Sequence, residues 1–194
     1  MSNTSLKTKK LTALALLTAV VVVLQALAIA IRFGVFTVTL VLAPIIVGAA
    51  LYGVGAGAWL GLVFGAVVVL TDAGPFLAVS VPGTVITCLS KGVLSGLAAG
   101  AVYRLLEKKR PLLASLGAGI VAPVVNTGVF LLGCRLFFYD TIAAWGRAVG
   151  MENTALYMLV SFVGVNFLVE LGINLVLSSA IVQIIRIGRR IAEW

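Results

Sequence analysis

The sequence contains no histidine. That absence excludes His-dependent metal sites, haem ligation through imidazole, and the Ser-His and Cys-His pairs of nucleophilic hydrolases. Charge is nearly as scarce: 10% of the 194 residues are Asp, Glu, Lys or Arg, against about 25% in a soluble domain. A water-facing surface cannot be built from so few charges. Acids are the scarcer sign, with 6 Asp and Glu against 14 Lys and Arg. Asp72, Asp140 and Glu152 are scattered in connecting segments and do not form a cation-binding cluster. The 2 cysteines, Cys88 and Cys134, lie in apolar segments without metal-ligand spacing, and no disulfide framework is expected. No glycine-rich turn leads into Lys and Ser/Thr in the phosphate-loop order, so the chain does not itself hydrolyse ATP. Neither an enzyme activity nor a cofactor is expected.

What fills the chain instead is hydrocarbon: 62% of the residues are hydrophobic, and the mean hydropathy is +1.22. The length suits one domain, residues 1–194. Spans of about 20–25 residues consume most of it. The expectation is an all-α integral membrane protein of six transmembrane helices. The net charge of +8 does not point to nucleic acid, because the bases sit in short clusters between apolar runs, as topology signals do.

Span one runs about Leu11 to Ile31, too long for a signal-peptide core, and is read as a retained helix. A loop with Arg32, Gly34 and Thr37 leads to span two, about Leu40 to Tyr52, which is short. Gly53, Gly55 and Gly57 are expected to form a tight turn into span three, about Ala58 to Leu70. A loop from Thr71 to Gly83 precedes span four, about Thr84 to Leu106, and the turn Glu107 to Pro111 precedes span five, about Leu112 to Phe138. A loop from Tyr139 to Thr154, with Trp145 suited to an interface, precedes span six, about Ala155 to Ile187. Of the 14 bases, all but Arg32, Lys91, Arg135 and Arg147 fall on one side of this arrangement. The positive-inside rule then places both termini in the cytoplasm.

Gly53, Gly57, Gly61 and Gly65 recur every four residues, as do Gly92, Gly96 and Gly100. That spacing keeps them on one helix face, where backbones approach closely. The face serves either packing within the chain or docking onto another subunit. Ala15 and Ala19 make a similar small pair in span one.

Charges at membrane depth are costly, so each is a site candidate. Lys91 lies about seven residues into span four, roughly 10 Å below its outer end. Glu170 lies near the middle of span six, and Asn166, Glu170 and Asn174 share one helix face at i, i+4, i+8. Asn126 sits three residues after Pro123, which frees a carbonyl in the preceding turn and can bend span five. Two readings stand: Lys91 and Glu170 neutralise each other in a structural network, or these groups line an outward-open cavity for a small polar solute. Arg135 and Arg32 lie near the outer surface, where snorkelling to headgroups explains them as well as binding does.

The order of these features resembles a known family. The run from Ala43-Pro44-Ile45-Ile46 through Gly53-Val54-Gly55-Ala56-Gly57 to Gly61 and Gly65 is similar to the second-to-third helix hairpin of energy-coupling factor (ECF) transporter S-components. The group it resembles is the one that includes pantothenate, folate and riboflavin S-components. Lys91-Gly92-Val93-Leu94-Ser95-Gly96, continuing to Gly100 and Tyr103-Arg104, resembles that group's fourth helix, and Asn126-Thr127 its recurrent Asn-Thr pair. The resemblance implies a substrate-binding subunit in a bacterial cytoplasmic membrane. It implies a vitamin-like micronutrient held near the outer face by helices four, five and six, with outer loops as lids. Lys91, Asn126, Asn166, Glu170 and Arg135 are the residues of this chain placed there. It also implies docking through Ala15 and Ala19 onto a transmembrane coupling subunit driven by two cytoplasmic ATPases. Many relatives carry Arg near Lys91. Lys lacks the bidentate fork of Arg, but a cation there still favours a carboxylate-bearing vitamin such as pantothenate. The competing readings are a self-sufficient proton-coupled carrier using Glu170, and a scaffold subunit without ligand.

Overall fold

In hydrocarbon a backbone must satisfy its own N–H and C=O groups, and helices do so within one segment. The apolar runs accordingly fold as helices in a computed structural model, which describes residues 3–28, 32–33, 36–37, 40–108 and 110–192. Helix α1 spans Asn3–Ala28. Two antiparallel two-residue strands follow, β1 (Arg32–Phe33) and β2 (Phe36–Thr37), with Arg32 opposite Thr37. Next come α2 (Leu42–Tyr52), α3 (Val54–Thr71), the single turn α4 (Gly74–Leu77) and α5 (Val81–Leu106). The chain ends with α6 (Pro111–Phe137), α7 (Tyr139–Ala148), the single turn α8 (Thr154–Tyr157), a π turn (Met158–Val163) and α9 (Gly164–Ala192).

Five helices, α1, α3, α5, α6 and α9, are long and apolar enough to cross a membrane. The expected second span is the sixth, shorter apolar helix. At 11 residues α2 rises only ~16 Å, about half the thickness of a hydrocarbon core. Its surroundings compensate. Leu42, Ile45, Ile46 and Ala49 are wholly buried, and α2 packs against α1, α3, α5 and α9. Of the five long helices α1 is the least buried: Leu11, Leu16, Val23 and Leu27 are exposed.

The expected three-glycine turn is a one-glycine turn. Gly53 alone reverses the chain, at φ 100°, a region only glycine enters at no steric cost. Gly55 and Gly57 already belong to α3. Two expected loops also hold helices. Pro75 starts α4, and Ser80 caps α5 by accepting from the Gly83 N–H at 3.2 Å, so span four begins at Val81. The segment read as a loop from Tyr139 carries α7, which buries Ile142 and Gly146 and exposes Asp140 and Arg147. Its Asp in the first turn and Arg in the last suit the helix dipole.

The glycine repeats face each other. Cβ atoms at Gly61 and Gly92 would each fall on the other's carbonyl, as would those at Gly57 and Gly96, and one at Gly65 would fall on the Cys88 carbonyl. Thus α3 and α5 touch backbone to backbone, and the repeat serves packing within the chain. The α5–α6 contact is pinned by the Ser95 hydroxyl, which donates to the Ala122 carbonyl at 2.8 Å. The α6–α9 contact is pinned by Ser115, which donates to the Ser178 carbonyl at 3.2 Å. The main core joins buried residues of α1, α2, α3, α5, α6 and α9; a second, aromatic cluster of Phe76, Phe138, Ile142 and Tyr157 closes the end formed by α4, α7 and α8.

Candidate functional site

Helix α5 carries Lys91 ten residues after its start at Val81, so the side chain leaves the backbone ~15 Å along the helix, deeper than the sequence estimate. Its ammonium stands over two rings, 5.6 Å from the centroid of Phe64 on α3 and 5.2 Å from that of Phe130 on α6. Among the described residues no ion pair joins Lys91 to Glu170. A charged side chain at mid-membrane costs about 2.5–3.5 kcal/mol on insertion scales. A desolvated cation–π contact returns about 2 kcal/mol. Two rings therefore hold the cation in place.

The aromatic partners continue outward. Phe76 of α4 meets Phe130 edge-on at 5.7 Å, Phe138 at 5.0 Å and Trp145 of α7 at 5.7 Å. Rings thus run from α4 and α7 down to the ammonium.

Two polar atoms on the same pair of helices are unpartnered. The α5–α6 register is set by Thr87 against Gly133 and by Ser95 against Ala122, and Lys91 and Asn126 lie between those contacts. The Thr87 hydroxyl and the Asn126 carbonyl oxygen are buried without a hydrogen-bond partner. Each such group costs about 1–3 kcal/mol. A cation, a hydroxyl and an amide oxygen together suit a small solute that carries both an anionic group and a donor.

The polar face of α9 is buried as its four-residue spacing predicts for Glu170 and Asn174. It is largely satisfied along its own helix. Asn174 Nδ2 donates to the Glu170 carbonyl, and Ser178 donates to the Asn174 carbonyl, both at 2.8 Å. Gly119 of α6 fits against Asn174 and Ser178, which places Glu170 level with Pro123, next to the Asn126 turn. The side chain of Asn166 lies outside the described residues, as does that of Arg32. Arg135 is not brought to this group: it is exposed, with its guanidinium 4.1 Å from the Tyr139 ring centroid. Ala15 and Ala19 are exposed on α1.

Sequence reasoning did not single out Phe64, Phe130 and Thr87. Thr87 stands four residues before Lys91, so helical spacing alone placed it on the same face. Nothing local marks the two phenylalanines. Gln25, wholly buried on α1 with both amide atoms unpartnered, was also passed over, although it is the polar residue in an otherwise apolar run. No group of three or more Cys, Asp or Glu side chains among the described residues suits a metal ion.

A model of the family described as "ECF transporter, substrate-specific component" matches residues 9–182, most of the chain. No curated protein and no solved structure matches it.

Proposed function

Because the chain belongs to the family of substrate-specific components of ECF transporters, a family of multi-pass membrane subunits that bind a transported substrate, we propose that it captures a vitamin-like micronutrient at the outer face of a bacterial cytoplasmic membrane. In this reading the whole chain is one binding unit with both termini in the cytoplasm. It delivers the ligand inward with a transmembrane coupling subunit and two cytoplasmic ATPases. The ligand carries a carboxylate, and pantothenate is the first candidate. The observation that carries the choice is Lys91: an ammonium held between Phe64 and Phe130, with the unpartnered oxygens of Thr87, one turn earlier on α5, and of Asn126 on α6. A carboxylate completes the cation, and a hydroxyl or amide on the same ligand completes the oxygens.

Thermal shift and calorimetry on the purified protein, against pantothenate, folate, biotin, lipoate, riboflavin and thiamine, test the reading. One-site binding at a hundredfold excess over Kd stabilises the folded state by about 2.7 kcal/mol. A single hit from a carboxylate-bearing vitamin is expected. A hit confined to thiamine or riboflavin would overturn the anion assignment and keep the binding role. No hit with these or with other carboxylate micronutrients would overturn both.

A further inference from the structure

Away from the end closed by α4, α7 and α8 lies an open crevice of about 330 Å³. Helices α1 and α9 each pack on α2 but scarcely on each other. The gap is lined by Ala13 and Leu17 of α1, Val47 and Leu51 of α2, and Ile184 and Ile187 of α9. Small residues keep it open. Ala13 offers one methyl, and at Gly188 a Cβ would already stand 3.0 Å from the Leu51 side chain. The walls are hydrocarbon, and the rim residues Leu16, Ile184 and Ile187 are exposed.

The mouth of the crevice is basic. Lys9 and Lys10, both exposed, precede Ala13 by about one turn and so share the face of α1 that lines the crevice. The guanidinium of Arg104 reaches Gly53, its Nη2 2.9 Å from where a Cβ would be. It thereby stands beside Tyr52, the last lining residue of α2. Lys7, Lys108 and Arg110 extend this charge, and among the described residues Glu107 is the acid at this end.

We infer that the crevice between α1, α2 and α9 binds one anionic phospholipid, with an acyl chain against Leu17, Val47, Leu51 and Ile184 and the headgroup phosphate on Lys9, Lys10 and Arg104. An apolar slot gives no preference between phospholipids of equal chain length. A basic mouth does, because each cation near an anionic headgroup strengthens binding. The slot restricts the lipid to one place, and the charge selects its class. This inference does not depend on the identity of the vitamin.

The test adds dioleoyl phosphatidylglycerol or dioleoyl phosphatidylcholine to the full chain purified in detergent. The two lipids share their acyl chains and differ in headgroup charge. Retained lipid is read by native mass spectrometry and stabilisation by thermal shift. The expected result is one retained phosphatidylglycerol and a larger shift than with phosphatidylcholine. Ala13→Phe, which fills the slot, should abolish retention of either lipid. Lys9→Gln with Lys10→Gln changes only exposed positions, so it does not disturb packing. It should lower the preference for phosphatidylglycerol about tenfold or more. Equal shifts with both lipids would overturn the inference, as would an unchanged preference in the charge variant. Phosphatidylglycerol retained by Ala13→Phe while that variant no longer assembles with its protein partner would assign the crevice to the partner instead.

Discussion

A lysine held at membrane depth without a carboxylate costs stability that an apolar side chain would not. The two phenylalanines around Lys91 offset part of that cost, and the remainder is available to a ligand. This leads to opposite signs for folding and binding. Lys91→Met should leave the thermal midpoint of the ligand-free protein unchanged or raise it, while weakening vitamin binding tenfold or more in calorimetry. Asn126→Ala removes an oxygen that has no partner in the structure, so it should also spare ligand-free stability and weaken binding. Unchanged affinity in both variants would place the pocket elsewhere. Lys91→Arg is not a neutral exchange, because a planar fork presents two donors to a carboxylate where an ammonium presents a point charge.

Among the helices, α3 and α5 meet along facing glycines. Membrane helices gain little from excluding lipid, so their association rests on close van der Waals contact. Glycine supplies it here: the paired glycines Gly61 with Gly92 and Gly57 with Gly96 leave no room for even a methyl group. Gly61→Leu or Gly92→Leu should therefore lower stability by about 1–3 kcal/mol or prevent folding, measured by thermal unfolding in detergent. Gly55→Ala is the contrasting case. Gly55 lies in the same helix with nothing near its added Cβ, and alanine is the better helix former. That variant should be as stable as the parent or slightly more so. A large loss at Gly55 would mean that α3 needs glycine for a reason other than interhelical contact.

Over the whole molecule, the two ends differ in chemistry. The end with α4, α7 and α8 is closed by aromatic rings, whereas exposed Lys7, Lys9, Lys10, Arg104, Lys108, Arg110 and Arg186 crowd the other. Between them α1 presents a flank in which Ala15 and Ala19 are exposed among Leu11, Leu16 and Val23. Small side chains on an exposed membrane-spanning helix allow another helix to approach closely. On the proposed role, Ala15→Trp or Ala19→Trp should leave vitamin affinity unchanged and abolish co-purification with the coupling subunit. Recovery of the intact complex from both variants would remove α1 from that interface.

Hydropathy by itself determined the class of this protein. Runs of about 20 apolar residues have no other stable form in a bilayer, and the spans read for α5 and α6 agree with the structure within about three residues. The four-residue spacing of glycines in α3 and α5, and of Glu170 and Asn174 in α9, likewise announced which residues share a face. Periodicity does not say what that face meets. Rotation of each helix about its axis is settled by contacts with the others. That is why only the tertiary structure could pair the two glycine rows, put aromatic rings rather than Glu170 beside Lys91, and turn Arg135 outward. The same limit explains α2. Its sequence is as apolar as a spanning helix, but at half the needed length it owes its place to neighbours that bury it on nearly every side. Composition cannot distinguish burial in protein from burial in lipid, because both are hydrocarbon to a leucine.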